Sequence, residues 1–574
     1  MTPELLAAAR LHDELVARSG LSLWIGAEPT FTRRDSQDAP WLFIAEGGDK
    51  EQMARELLRA IARQLEVPAR LFRAEGRLYP GEQHPRFSYG ALWTRGGKGP
   101  IADDSGMDAP PAPVPPWEPH TAWLTVTPDP GVVEVNLAPA PDLETFAAFS
   151  EAVYRAAAEV GLTAERFRFN GQAVDSGGGG QITLGGPTPE QSPFFLRPQL
   201  LPSLLRYLNH HPALSYAFAT ECVGSASQGP RSDEGVRERF EELQVALDRL
   251  AARGDAATPE ELWQSLAPLL VDSAGNSHRA ELNVEKLWNP FSGARGKLGL
   301  VELRSLRMAP DLERMVALAA LFRSLAARFA LHPFEESLVE WGSALHERFA
   351  LPHFLREDLQ QVLAELDEEG LGLPALLAEA LLREEPPLAE EPLKGATLLL
   401  RPALEFWPLL GDVASQEQQG ARLFDPSTQR VQIELRVRPG ELRGRVSCEG
   451  WEVPLQRAGA RGGQEIYVGA VRYRAWEPNP GLHPGLRGLD PLEVIWERGG
   501  ETLAVALHGW LPGGGAYPDL PADAQEAQRR RAERVVARRG VAPPGPRRAP
   551  SGGEAAIALD LRRLPAAESP AAKR

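Results

Sequence analysis

Five short segments of this chain alternate between apolar residues and charged or amide ones, and that alternation demands a sheet with two unlike faces. In a strand, residues i and i+2 point to the same side. GVVEVNLAP sets Glu134 and Asn136 on one side and Val133, Val135 and Leu137 on the other. SHRAELNVEK sets Arg279, Glu281, Asn283 and Glu285 against Ala280, Leu282 and Val284. LGLVELRSL puts Glu302 and Arg304 together between Val301, Leu303 and Leu306. The strand that begins LWIG reaches Glu28 and Thr30, and QITLGG aligns Gln181 with Thr183. Taken singly, each is satisfied by an antiparallel strand with a polar solvent face. Taken together the polar sides carry Glu, Arg and Asn rather than a mixture of Lys, Thr, Ser and Gln. Carboxylate oxygens suit hard divalent ions such as Mg²⁺, and guanidinium forks suit anionic oxygens, so the pattern predicts a metal- and phosphate-handling face.

Composition narrows the setting. The chain has 574 residues, 62 basic and 78 acidic, for a net charge of −16, so a broad nucleic-acid surface is not expected. With 43% hydrophobic residues it can bury a core, and its length allows several domains. Gly and Pro make up about 18% of the chain against a usual ~12%, which argues against a helical bundle or coiled coil. No run of apolar residues is long enough to span a membrane, and the charged amphipathic start MTPELLAAARLHDELVARSG lacks the apolar stretch of a signal peptide. A cytoplasmic protein is expected.

Periodicity predicts a helix over 1–20, a strand over 21–31, a helix over 50–66, and a proline-rich loop over 104–119. Strand character follows at 123–139, a helix near 142–160, and helices at 198–209 and 232–253. Two strands are expected at 277–288 and 299–308, then a helix near 310–330 and an acidic helical stretch over 353–386. From about 396 the segments TLLLRPALEFWPLL, RVQIELRVRP, EIYVGAVRYRAW and LEVIWERGGETLAVALHGW alternate as in an all-β domain. The resulting division is 1–103 and 120–345 as one α+β unit joined by the loop 104–119, a helical connector at 346–395, a β domain at 396–521, and a basic helix with a disordered tail at 522–574. The basic helix AQRRRAERVVARR reads as a solvated surface helix, with docking on the acidic segment 357–390 as the other reading.

Other features carry less. Four consecutive glycines, Gly177, Gly178, Gly179 and Gly180, present backbone N–H groups that can cradle an anion, or form a plain hairpin turn. They match neither the P-loop nor the dinucleotide fingerprint. Cys222 and Cys448 are the only cysteines, which excludes a disulfide framework and a cysteine zinc site. Cys222 with His278 and Asp272 would form a transglutaminase-type Cys/His/Asp triad only by spatial accident, so a buried structural thiol is expected. The pair His210-His211 before Pro212 reads as a helix-end packing feature. The tryptophan-bearing RYRAWEPNPGLHPG reads as sandwich core and corner, with a peptide or carbohydrate platform as the alternative.

The stretches GAEPTF (26–31), VTPDPGVVEVNLAPA (126–140), SGGGGQITLGGPTPEQSPFFLRP (176–198), LLRYLNHHPALSYAF (204–218), LVDSAGNSHRAELNVEKLWNP (270–290), GKLGLVELRSLRMAP (296–310) and RYRAWEPNPGLHP (472–484) resemble a bacterial amidoligase family that is commonly fused to, or encoded beside, transglutaminase-like proteins. The resemblance runs from about residue 10 to about residue 520. It implies an α+β, glutamine-synthetase-like carboxylate–amine ligase with a curved antiparallel sheet, flanking helices and a C-terminal sandwich-like β domain. It also implies ATP and Mg²⁺ or Mn²⁺ as cofactors, an acyl-phosphate intermediate, and a peptide or protein substrate. Carried over residue by residue, Glu28, Glu134, Glu281 and Glu302 are the metal acids, with Asn136 beside Glu134. Arg279 and Arg304 bind phosphate or carboxylate, and the glycine run flanks the nucleotide. Relatives usually carry Asn-His where this chain has Gly180-Gln181, so a neutral amide replaces an imidazole. The region before residue 123 is abbreviated and no transglutaminase-like domain is attached. These departures leave a second reading open, a catalytically degenerate member that holds a partner in a peptide-modification system.

Overall fold

The computed structural model describes residues 1–33, 47–77, 85–97, 104–110, 120–129, 131–137, 139–412, 422–441, 443–477, 486, 488–542, 545 and 557–562. Within 1–382 the strands are β1 (Trp24–Arg33), β2 (Arg70–Arg77), β3 (Arg86–Thr94), β4 (Thr121–Thr127), β5 (Val133–Leu137), β6 (Leu162–Thr163), β7 (Glu165–Phe167), β8 (Ala173–Asp175), β9 (Gly180–Gly185), β10 (Cys222–Val223), β11 (Leu282–Asn283) and β12 (Val301–Leu303). Nine of them form one sheet in the order β11-β12-β9-β1-β5-β4-β3-β2, with β6 also pairing β1. Its pairings are antiparallel, as expected for strands that alternate in polarity.

Register decides what each face carries. Glu28 stands opposite Gln181, Thr30 opposite Glu134, and Glu302 is paired with both Thr183 and Asn283. Asn136 faces Thr125, and Glu134 faces Thr127. A shift of one residue in any of these strands would turn its polar set inward. The other face carries Ile25, Ala27, Phe31, Leu124, Val126, Val133, Val135, Ile182, Leu184, Val301 and Leu303, all buried in the main core.

Three helices lie against that apolar face, Gly47–Leu65, Leu143–Glu159 and Leu312–Leu331, and a fourth, Pro3–Val16, packs across the last two. Three of them start where a short polar side chain accepts from the first turn: Thr2 from the N–H of Leu5, Asp142 from Thr145, and Asp311 from Arg314. Asp13 binds the three together. Its carboxylate accepts from the N–H of Leu143 at 2.9 Å and pairs with Arg323, whose Nε donates to the Leu23 carbonyl at 2.9 Å.

The acidic helices Pro352–Glu368 and Ala375–Leu382 pack into this same core through Leu355, Leu359, Val362, Leu366 and Leu377. They are therefore part of its packing rather than a bare connector, and the expected 346–395 segment ends in a strand, Ala389–Leu393, of the second unit. That unit holds a six-stranded sheet and a five-stranded sheet that share a core of Leu398, Leu400, Ile433, Leu435, Val446, Val494, Trp496 and Val505. It is a two-layer β arrangement of sandwich type.

The tail departs from expectation. The basic helix spans Ala524–Glu533 and is followed by a strand, Val535–Arg539, that pairs Glu501–Leu507. A further strand, Ala558–Asp560, adds in parallel to Gln464–Arg474, so 557–562 is ordered backbone and not a disordered tail. The helix is not a purely solvated one, and Arg531 acts electrostatically on Glu385 of the 357–390 segment. Arg530 is buried and donates to the Phe169 carbonyl at 2.7 Å, and Arg531 donates to Gly171. Trp496 is core, but Trp476 of RYRAW is 47% exposed, so that motif is not a core corner at this residue. The rest of that motif, 478–484, and the loop residues 111–119 lie outside the described residues. Among the described residues no helix is long and apolar enough to cross a membrane.

Candidate active site

The polar face gathers most of the residues the alternation singled out. Glu28 on β1, Gln181 on β9 and Glu302 on β12 lie on three adjacent strands, each under 10% exposed. Glu134, half-buried on β5, accepts from Asn136 Nδ2 at 2.8 Å. Arg304 folds back to pair with Glu302, and its Nε donates to the His278 carbonyl at 2.8 Å.

The centre of the group is a residue that alternation missed. Lys286 Nζ donates to Glu28 Oε1 at 2.6 Å and stands 3.3 Å from Glu302 Oε2. The expected strand 277–288 is regular only at Leu282–Asn283. Val284 (φ −114°, ψ 13°) leaves extended geometry, and Glu285–Trp288 forms one helical turn. That turn swings Lys286 onto the sheet face and takes Glu285 away from it, to within 3.1 Å of His278 Nε2. The only available signal was rarity: Lys286 is one of six lysines in the chain. Burial alone would lower the ammonium pKa, but Glu28, Glu302 and then Glu134 outweigh it and raise the pKa above the ordinary lysine value. Burial would likewise raise Glu302, and Lys286 with Arg304 reverses that, holding its carboxyl below the usual range.

Glu281 does not join the group. Its carboxylate accepts from Ser215 Oγ at 2.7 Å and from the Ser232 N–H at 3.2 Å, and lies 3.8 Å from Arg231 Nη1. It is 2% exposed, and burial raises its pKa despite Arg231. Its backbone nevertheless serves the site, because the Glu281 carbonyl accepts from the Arg304 N–H at 2.8 Å. Arg279 is also turned away: its guanidinium donates to the Ser227 carbonyl at 2.5 Å and lies 3.8 Å from Asp272. The metal role expected for Glu281 and the phosphate role expected for Arg279 thus have no support in the geometry.

The glycine run is committed as well. Gly177 N–H donates to Asp175, Gly178 N–H to Ser176 Oγ at 3.3 Å, and Gly180 N–H to the Leu306 carbonyl at 3.0 Å. A Cβ at Gly180 would lie 2.7 Å from the Arg307 carbonyl oxygen, and one at Gly178 would strike Thr30 at 2.7 Å. Close packing of the loop onto β1 and the 306–308 segment explains the glycines, and three of the four amides are not offered to an anion. Gln181 Oε1, by contrast, is buried without a hydrogen-bond donor.

A family model described as "Putative amidoligase enzyme (DUF2126)" matches residues 3–110 and 112–562. The chain belongs to that family. Membership places it among ligases of a general amide-forming kind. No curated protein matches the chain in sequence. A solved structure named "GmaS/ADP complex-Conformation 1" is 13% identical over 66% of this chain and 71% of its own, with a TM-score of 0.29. Another, "Apo GmaS without ligand", is 14% identical over 66% of this chain and 72% of its own, with a TM-score of 0.30.

The divalent ions implied by the resemblance do not fit this arrangement. Glu28 and Glu302 already share the Lys286 ammonium, Glu302 also holds Arg304, and among the described residues no three acidic, histidine or cysteine side chains stand together as a metal site. The cysteine reading fails too. Cys222 is 5% exposed, burial pushes its thiol up to about 12, and His278 is engaged with Glu285.

Proposed function

We propose that the chain is an ATP-dependent ligase that joins a carboxylate to an amine, and that the face bearing Glu28, Glu134, Asn136, Gln181, Lys286, Glu302 and Arg304 is its active site. The reading is carried by one observation: acids, amides and cations from four strands and one helical turn converge on a single sheet face, in a chain of the amidoligase family. The substrate carboxylate attacks the terminal phosphorus of ATP, the bond to ADP breaks, and an acyl phosphate forms. The amine nitrogen then attacks the acyl carbon, phosphate leaves with the bonding pair, and the amine proton passes to a carboxylate of this face.

Such chemistry needs placement and charge neutralisation more than a protein nucleophile. Lys286 and Arg304 are the cations that would meet anionic oxygens, and Glu28 and Glu302 hold them in place. Gln181 Oε1 is an acceptor for an N–H of the incoming amine. A peptide or protein substrate, and a transglutaminase-like partner, are part of the proposal through the family resemblance alone.

One observation favours a second reading, an inert member that binds a partner: the expected metal acids are neutralised internally by Lys286 and Arg304. Release of ADP separates the two. The ligase reading expects ADP and phosphate to appear from ATP on adding ammonia or an amine with a peptide carboxylate, and to stop in Glu302→Gln. Absence of ADP release across ammonia, lysine and peptide substrates, with and without Mg²⁺, would contradict it.

A further inference from the structure

The place between Glu28 and Glu302 is built for a cation. The two carboxylates come from β1 and β12, which are separated by β9, and converge on one point from both sides. We infer that Lys286 is the resident cation of this site, holding by its ammonium the position that two converging carboxylates would otherwise give to a divalent metal ion.

The backbone fixes the lysine there. The Lys286 carbonyl accepts from the N–H of Leu298 at 3.0 Å and of Leu300 at 3.3 Å, and the Leu287 carbonyl accepts from Gly299 at 3.0 Å. Leu287 is fully buried, so the helical turn is pinned on the segment that leads into Glu302. Lysine and glutamate therefore move as one unit and do not meet by chance rotation of two long side chains. An ammonium has three N–H donors. Two are directed at Glu28 and Glu302, which leaves one for an oxygen of an incoming anion.

Charge supports the same assignment. Lys286 is the cation that Glu28 and Glu302 share, and Arg304 pairs with Glu302 alone. Taking Lys286 away would leave Glu28 without the cation it shares with Glu302, and Glu302 with Arg304 alone, beside the neutral amide oxygen of Gln181. Hard oxygen donors with excess negative charge are what Mg²⁺ and Mn²⁺ bind. Lysine thus does two things at once: it neutralises the acids, and it excludes a divalent ion from the position between them. The assignment concerns binding and does not depend on whether the chain ligates.

Mn²⁺ binding to the full chain, measured by electron paramagnetic resonance and by calorimetry, tests it. Lys286→Met, checked for folding by circular dichroism, is expected to bind Mn²⁺ at least about tenfold more tightly than the wild-type chain. Lys286→Arg, which keeps the charge, is expected to stay weak, and Lys286→Met combined with Glu302→Gln is expected to lose the gain. Wild-type protein that binds Mn²⁺ as tightly as Lys286→Met would overturn the inference. So would a folded Lys286→Met chain that gains no Mn²⁺ affinity, or a double variant that keeps the gain.

Discussion

Replacing Glu281 by alanine separates the acids that form the site from the one that supports it. The carboxylate accepts from Ser215 Oγ, Ser232 N–H and Ser232 Oγ at 2.7, 3.2 and 3.3 Å, and it lies near the fully buried Arg231. Each buried donor left without an acceptor costs about 1–3 kcal/mol. Two effects reduce the sum. Arg231 keeps its pairing with Asp233 at 2.7 Å, and burial disfavours the charged form of Glu281 and raises its pKa, so less is lost with the carboxylate. A net loss of about 2–3 kcal/mol follows, local to the segments that meet there. Hydrogen exchange resolves that locality, since opening free energies differ along a chain. Backbone amides over 228–235 and 278–284 should exchange roughly 30–150 times faster in Glu281→Ala, because 1.4 kcal/mol is a factor of ten. Nucleotide affinity should survive under conditions where the protein remains folded. Glu302→Ala should show the reverse, a small change in exchange and a large loss of ligand affinity. Unchanged exchange in Glu281→Ala together with lost binding would refute the reasoning and return Glu281 to the site.

Three other perturbations have definite outcomes. His12 is fully buried, its Nε2 donates to the Ala320 carbonyl at 3.1 Å, and its Nδ1 has no partner, so burial and then Arg323 depress its pKa to about 3. The unfolded chain binds the extra proton below the ordinary value of about 6.5, so stability is full above that pH and falls as pH drops from there toward 3; the loss at pH 5 is about 2 kcal/mol. Denaturant melts at pH 7.5 and 5.0 should show that His12→Gln is less sensitive to acid by this amount. Gly180→Ala should cost about 1–3 kcal/mol in the same assay, because its Cβ meets the Arg307 carbonyl oxygen and not a movable side chain. Cys222→Ser should leave ligand binding and any ADP release unchanged, and a large loss of either would revive the thiol.

What could be read from the residues follows the range of the physics. Alternation is local, so period two set Glu134 with Asn136, Glu302 with Arg304 and Glu28 with Thr30 on one side of each segment, and strand pairing brings those sides together. Capped helices such as Leu143–Glu159 and Leu312–Leu331 were equally legible, because cap and amphipathic stripe lie within the segment. The failures lie where distant partners decide. SHRAELNVEKLW looks like one long strand, yet only Leu282–Asn283 finds a partner, in β12, and the chain turns at Val284. That one turn removes Glu285 and delivers Lys286. Glu281 lies just outside the regular pair, where Ser215, Ser232 and Arg231 claim it from elements more than forty residues away. Strands β2 and β3 were not expected at all: RLFRAEGR and RFSYGALWT alternate poorly and become strands by pairing with each other and with β4. The tail strand Ala558–Asp560 is held by pairing with Gln464–Arg474 and by Leu559 in the β core, partners far away in the sequence.

The central claim is that the mixed acidic and cationic face is where nucleotide and carboxylate meet. A crystal structure of the full chain with a non-hydrolysable ATP analogue, in the presence of Mg²⁺, tests it directly. The account predicts the terminal phosphate over β1, β9 and β12, with its oxygens in hydrogen-bonding distance of Lys286 Nζ and Arg304. A terminal phosphate seated at another surface, with Lys286 still closed on Glu28 and Glu302, would contradict it.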